Sequence, residues 1–381
     1  MKNTEPTFVV HNANCLDILK TMEDNSIDSI CTDPPYGLNM MNKGWDKVLP
    51  DPAIWKECLR VLKPGGHMVA FGAPRLYHRL ACSIEDQGFE VRDSLMWVFG
   101  SGFPKSLDIG KALPEEESAQ GIGTALKPAY EPIILARKPL EGTVASNVLK
   151  WGTGGINIDG CRIETTENLN GGAYAKTQSE RHDGDESWRM KPGQAGDFVQ
   201  PAGRFPANLI LDEEAGKLLD EQSGILKTGA AKPFVGEVKE SASIGKKRSM
   251  LKGHSSNEGG TSRFFYCAKA SKKEREAGLE SMPSKKVSDG RTKTNNSPRL
   301  RDATERKNTH PTVKPISLMQ WLVRLITPPG GIVLDPFTGS GSTGCAAMKE
   351  GFDFIGCDLS AEYVEIANKR IEHARPKQQE V

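Results

Sequence analysis

Pro34 and Pro35 stand side by side after the apolar run Ser29-Ile30-Cys31-Thr32. Two successive prolines remove two backbone donors and fix two φ angles, so neither a ladder nor a helix runs through them. The preceding run therefore reads as a buried strand with an abrupt end. The chain beyond it is stiff and presents Asp33, the Pro34 carbonyl and the Tyr36 ring at the strand's C-terminal end. In open α/β sheets ligands bind at that edge. The set suits a planar base with an exocyclic NH2. The base stacks on Tyr36, and its two N–H groups meet acceptors at Asp33 and the Pro34 carbonyl. A plain strand-ending turn is the competing reading, because Pro-Pro is a common breaker.

A second strand and turn lie towards the other end, from Gly330 through Leu334 into Asp335-Pro336-Phe337-Thr338-Gly339-Ser340-Gly341-Ser342-Thr343. Small residues let backbone approach a ligand closely, and the helix start after them can receive an anionic group. The G-x-G here has no third glycine at the dinucleotide offset, which disfavours a nicotinamide oxidoreductase. Phe354 to Asp358 reads as a further strand. Its terminal acid comes about twenty residues after the turn, the spacing at which a carboxylate meets ribose hydroxyls. The alternative for Asp358 is a helix N-terminal charge, since Ser360 looks like an N-cap.

Between and around these motifs the pattern alternates. Phe8-Val9-Val10, Ile27 to Thr32, His67 to Phe71, Phe89 to Phe99 and Glu131 to Arg137 read as strands. Helices are expected from Leu16, over 53–62 (apolar at Ile54, Cys58, Leu59 and Leu62), over 76–87 and over 316–326. Such a series predicts an α/β fold with a doubly wound, mainly parallel sheet. The two motifs must share that sheet, because reacting groups have to meet within near-attack distance. Both chain ends therefore build one domain. We expect a catalytic half over 1–163, a loop-rich insertion over 164–308 and a cofactor-binding half over 309–381.

The insertion differs in composition. Residues 168–198 are rich in Gly, Ser, Asn, Gln and charge, and 229–262 hold few large apolar residues. Leu209-Ile210-Leu211 and Phe264-Phe265-Tyr266 are short apolar patches that suit strands packing on the main domain. From Ile225 to His310 there are twenty Lys and Arg against nine Asp and Glu, although the whole chain is only +1. Lys246, Lys247, Arg248, Lys272, Lys273, Arg275, Arg299 and Arg301 are the dense points, and the first six are candidate phosphate contacts. A solvated charged loop is the bland alternative.

Asp-Pro-Pro-Tyr early and Asp-Pro-Phe-x-Gly-x-Gly late resemble the DNA amino-methyltransferases that use S-adenosylmethionine. The order of the motifs, and His310-Pro311-Thr312-Val313-Lys314-Pro315 between them, resemble the β class of that family. The resemblance covers about 8–160 and 309–375. Stretches at Gly154–Ile163, Gly203–Leu211 and Arg263–Ala270 are similar to the phage and prophage branch of site-specific DNA methylases. The resemblance implies a Rossmann-like methyltransferase fold with a reversed hairpin strand at one sheet edge. It also implies S-adenosylmethionine as cofactor and double-stranded DNA as partner. Asp335, Phe337, Gly339 and Gly341 would shape the methionine pocket, with Thr343 and Lys314 at its end. Asp358 would take the ribose and Asn14 the adenine edge. The family usually has an acid where Asn14 stands; an amide oxygen still accepts a hydrogen bond, without the charge.

The expected reaction is methyl transfer to the exocyclic amine of a flipped base, with Asp33, Pro34, Pro35 and Tyr36 as the catalytic set. Asp before Pro-Pro-Tyr leans towards adenine N6, with cytosine N4 as the alternative. Methylation of an amide in protein or of RNA, and a degenerate DNA-binding module, are the rival readings. Whether the chain works as a homodimer, or beside a cognate restriction nuclease, stays open. The eight cysteines form no C-x-x-C pair, the seven histidines do not cluster with them, and no apolar run reaches membrane-spanning length. With a polar start over Met1 to Thr7, these features predict a reduced, cytoplasmic chain with no metal.

Overall fold

In a computed structural model the described residues are 5–38, 44–102, 106–165, 167, 169, 201–228, 234–237, 248–251, 257–269, 273–287 and 304–376. A nine-stranded sheet organises them. Its strands are β1 (Phe8–Asn12), β2 (Ile27–Thr32), β3 (Leu62–Phe71), β4 (Glu90–Val98), β5 (Tyr130–Arg137), β6 (Leu209–Asp212), β7 (Tyr266–Ala268), β8 (Ile332–Asp335) and β9 (Asp353–Asp358). Across the sheet they run β1-β9-β8-β2-β3-β5-β4-β6-β7. Only β5 is antiparallel to its neighbours, pairing with β3 on one side and β4 on the other.

β2 is buried along its whole length, as a strand covered on both faces must be. One face carries the helices Ile316–Ile326, Ser342–Glu350 and Ala361–Ala374, packed over Val69, Ile133, Val333 and Phe354. The other carries Cys15–Thr21, Pro52–Val61 and Tyr77–Glu85, packed over Ile30, Met68, Ala70 and Leu334. The layout is the doubly wound α/β sheet that the periodicity predicts. The helix Pro52–Val61 ends where expected, but the strand after it begins at Leu62 and runs through Pro64-Gly65-Gly66.

Two features depart from expectation. The reversed strand is not at an edge, because β4 pairs with its far side, and β6 and β7 extend the sheet further still, with β6 parallel to β4 and β7 parallel to β6. Both strands come from within 164–308, and Tyr266 anchors β7 by stacking on Trp321 at 5.5 Å and donating to the Ser317 carbonyl at 3.0 Å. Within 229–262, despite its few large apolar residues, Phe234–Glu237 pairs with Arg248–Leu251, and Asn257–Gly259 pairs with Leu226–Thr228. Residues 170–200, which hold most of the loop read from composition, lie outside the described residues. All eight cysteines are free. Among the described residues no helix is long and apolar enough to cross a membrane, and no group of three or more His, Cys, Asp or Glu is placed to hold a metal.

Candidate active site

β2 and β8 are adjacent and parallel, with Ser29 opposite Val333 and Ile30 opposite Leu334. From β2 the chain proceeds to β3, and from β8 to β9, which lie on opposite sides of the pair. The two strands thus diverge at a topological switch point, where a crevice opens at their C-terminal ends. Asp33-Pro34-Pro35-Tyr36 leaves one strand there, and Asp335-Pro336-Phe337 leaves the other. The Thr32 hydroxyl ties them together by donating to Asp335 Oδ1 at 2.7 Å.

On the β2 side, Asp33 Oδ1 accepts from the Tyr36 hydroxyl at 2.7 Å, and Oδ2 accepts from Lys314 Nζ at 2.6 Å. The Lys314 ammonium also lies 3.1 Å from Glu131 Oε2. Glu131 reaches the site because β5 is reversed: its N-terminal end lies where the parallel strands end. The Tyr36 hydroxyl is 3.2 Å from the same Glu131 oxygen. Lys314 is buried, only 7 % exposed, beneath the rings of Phe71 and Tyr36. Burial pulls its pKa down, but Asp33 and Glu131 outweigh that and hold it raised, so the ammonium persists. Burial first, then the same two carboxylates, pushes the Tyr36 phenol up and keeps it neutral. The turn after Tyr36 is fixed by buried Asp46, whose Oδ1 accepts from the Tyr36 and Gly37 amides at 2.7 and 3.0 Å.

On the β8 side, Asp335 is 2 % exposed and saturated with donors. Oδ1 accepts from Thr32 and from the Phe337 amide, and Oδ2 accepts from Thr343 Oγ1 at 2.6 Å. Burial pushes its pKa up to about 6, against the pull of those bonds. Asp335 therefore shapes the turn, and the Thr343 hydroxyl is committed to Asp335. Phe337 packs its ring 6.1 Å from that of Trp55. Gly339 sits at φ +52°, and a Cβ there would come 2.7 Å from His310 Nε2. Gly341, at φ +82°, lies against Ala367 of the last helix. His310 donates from Nδ1 to the Thr312 carbonyl at 2.8 Å, and burial drags its pKa down to about 4 with Asp33 opposing.

The remaining predicted residues line the same edge. Asp358 ends β9, where one oxygen accepts from the Gly339 amide at 2.9 Å and the other from the Ser360 amide at 2.8 Å. It thus secures the glycine turn and the helix start. Asn14 follows β1, which pairs with β9, and caps the helix Cys15–Thr21 by accepting from the Leu16 amide at 3.0 Å. An amide oxygen has a second lone pair, so Asn14 keeps acceptor capacity. Lys314 stands against Asp33 and Tyr36. Arg275 is half-buried and donates to the His310 carbonyl at 2.6 Å, and burial lowers its pKa. Lys273 is exposed, Arg248 is described only as backbone in its strand, and Lys246, Lys247 and Lys272 lie outside the described residues.

Sequence reasoning missed Glu131, Asp46 and Thr32. The signal for Glu131 was slight, an acid one residue before a proline at the start of an apolar run. The glycine turn fits a nucleoside-bearing cofactor on two structural grounds. A side chain at Gly339 would close the space towards His310, and the ends of β9 and β1, next to the turn, carry Asp358 and Asn14.

The chain is similar to known DNA methylases over most of its length. A family profile described as DNA methylase matches residues 27–369. DNA adenine methyltransferase YhdJ of Escherichia coli (strain K12) is 39 % identical over 77 residues, 20 % of this chain and 26 % of that protein. Type II methyltransferase M1.MboII of Moraxella bovis is 50 % identical over 62 residues, 16 % of this chain and 24 % of that protein. The matched stretches span about a quarter of those relatives. Among solved structures, the PvuII DNA methyltransferase (cytosine-N4-specific) superposes with a TM-score of 0.47 at 15 % identity, covering 99 % of this chain and 89 % of that one. The M1.HpyAVI–SAM complex gives 0.42 at 17 % identity, covering 96 % and 100 %. On the extent of the profile match, the chain belongs to the DNA methylase family.

Proposed function

We propose that this DNA methylase moves a methyl group from S-adenosylmethionine to an exocyclic amino nitrogen of a DNA base, adenine N6 in preference to cytosine N4. The observation that carries the reading is the meeting of the two motifs. Asp33-Pro34-Pro35-Tyr36 and the glycine turn leave adjacent parallel strands, bridged by the Thr32–Asp335 hydrogen bond. The cofactor, when bound, supplies an electrophilic methyl on a sulfonium. Gly339, Gly341 and Phe337 would hold its methionine part on the β8 side, Asp358 its ribose and Asn14 its adenine edge.

The chain's own residues then act on the amine. Its lone pair is delocalised into the ring, which makes it a poor nucleophile. Acceptance of one N–H at Asp33 and the other at the Pro34 carbonyl draws the nitrogen towards sp3 and aims the lone pair across the crevice. This is positioning and electrostatics without a covalent enzyme intermediate. The base has to leave the duplex to reach this depth, and stacking on the Tyr36 ring is worth about 1–3 kcal/mol by analogy with single-strand binders. As the new bond forms, the nitrogen becomes acidic, and the carboxylate of Asp33 takes the proton. Adenine is preferred because an acid opens the tetrapeptide, and the E. coli adenine enzyme is among the relatives.

The basic stretch within 225–310 favours a nucleic acid over a protein acceptor, and the match to the DNA methylase profile favours DNA over RNA. Cofactor labelled in its methyl group tests the acceptor class when the chain is offered duplex DNA, RNA and protein from an unmethylated host. Label in DNA alone is expected. Label in RNA or protein with none in DNA overturns the proposal.

A further inference from the structure

Asp33 is asked to accept from the target amine, yet both of its oxygens already hold donors, the Tyr36 hydroxyl at 2.7 Å and the Lys314 ammonium at 2.6 Å. Each carboxylate oxygen has a second lone pair, so the amine can join either one, but it meets an acceptor whose charge the ammonium already holds, and it bonds Asp33 at full strength only if that donor yields. The ammonium is the donor with somewhere to go. Glu131 Oε2 lies 3.1 Å from the same Nζ, and it comes from a different strand than Asp33. A lysine only 7 % exposed cannot turn to bulk water, so a second carboxylate is what makes its departure from Asp33 feasible. The charges point the same way. One ammonium faces two carboxylates, which leaves a net negative site for an amine that gains positive character during transfer. Without Glu131, Lys314 and Asp33 would form a closed neutral pair.

We infer that Glu131 is a positioning residue that receives the Lys314 ammonium when the target base enters and so frees Asp33 Oδ2 for the amine. The inference rests on the proposed methyl transfer to DNA and deepens it. Lys314 acts as a placeholder, occupying the amine's position in the empty site and moving towards β5 in the filled one. Glu131 itself touches neither base nor cofactor. Its effect passes through Lys314, which makes it separable from a merely structural acid.

A set of three variants tests this. Glu131→Gln leaves Lys314 on Asp33, and kcat is expected to fall by about 10²-fold, the size of losing one preorganised polar contact. Glu131→Asp, which keeps the charge, should recover at least part of that loss. Glu131→Gln with Lys314→Met removes the placeholder, so the double variant should turn over at least about tenfold faster than Glu131→Gln alone, a non-additive pair. A double variant as slow as the single one overturns the inference. A second readout needs no turnover and no cofactor. Lysine labelled with 15N at Nζ gives an ammonium resonance for Lys314, assigned by its loss in Lys314→Met. Duplex DNA should shift that resonance in the wild type and leave it in place in Glu131→Gln. A resonance that ignores DNA in an active wild-type chain also overturns the inference. A wild type that methylates no DNA at all removes the proposed function and this inference together, whereas additive losses in an active chain remove only the inference.

Discussion

Asp33→Ala separates chemistry from cofactor binding, and the structure sets the size of each effect. The substitution deletes the acceptor for Lys314 Nζ at 2.6 Å and for the Tyr36 hydroxyl at 2.7 Å. Breaking a buried pair ordinarily costs about 3–5 kcal/mol, because the surviving charge is stranded. Here Glu131 stays within 3.1 Å of the ammonium and 3.2 Å of the hydroxyl, so neither is left alone. The stability loss should therefore be nearer that of a charged hydrogen bond, about 1.5–3 kcal/mol. The chemical step has no such substitute, because the target amine loses one of its two acceptors. By analogy with removal of a single oxyanion donor, kcat should fall by about 10²–10³. On the β8 side, Asp335 keeps its bonds to Thr32, Thr343 and Phe337, and Asp358 keeps Gly339. Calorimetric titration of S-adenosylmethionine should give a dissociation constant within about threefold of wild type, a change under about 0.7 kcal/mol. The paired assay is single-turnover methyl transfer to the same DNA. Near-normal turnover by the variant would refute the proposed role of Asp33 whatever the titration shows.

Gly339→Ala places a Cβ 2.7 Å from His310 Nε2 on a residue at φ +52°, so cofactor affinity should drop at least about tenfold, with about 1–2 kcal/mol of backbone cost besides; titration of the purified variant checks both the binding and, by melting, the strain. His310, held at about 4 in the fold against an ordinary 6.5, binds its proton more weakly folded than unfolded. Its contribution is full above pH 6.5 and is lost as pH falls towards 4, by up to about 3 kcal/mol; urea unfolding at stepped pH should show that slope flattened in His310→Gln, and an unchanged slope would assign it to other groups. Neutralising Lys246, Lys247 and Arg248 together should weaken DNA binding across sequences and reduce the salt slope by about 2–3 if each meets a phosphate; an unchanged slope would make the cluster a solvated loop. Arg275→Ala, by contrast, should leave the salt slope alone and lower thermal stability, since its guanidinium supports the His310 carbonyl.

The features legible in the chain were local ones. Two prolines end a strand wherever they stand, and a glycine turn between a strand and a helix announces itself in a few residues. The short apolar run at Leu209 was likewise visible as a strand, whereas of Phe264-Phe265-Tyr266 only Tyr266 enters one, Phe264 closing a 3-10 turn before it. The place of these two strands in the sheet was not visible, because joining it beyond β4 depends on pairing with an edge that no local pattern encodes. The same holds for Glu131, which enters the site only because β5 is reversed between β3 and β4. Lys314 and Asp33 are separated by 281 positions, so their ion pair was invisible until the two ends shared one sheet. Charge counting could not show that Arg275 reaches the His310 carbonyl, since a sum over residues 225–310 carries no information about which cations also bond within the fold. Asn14 shows a related limit: the residue type that suits an adenine edge is also a favoured helix cap, and the structure uses it as the cap.

The central claim is that the Asp33 crevice methylates an exocyclic amine of DNA. Its most direct measurement is mass spectrometry of nucleosides released from DNA after incubation with the chain and methyl-labelled S-adenosylmethionine. Labelled N6-methyladenine is the expected product, absent when Asp33→Ala replaces the wild type. Labelled N4-methylcytosine alone would correct the base and keep the mechanism. No labelled amino-methylated nucleoside, from DNA known to lack prior modification, would contradict the claim.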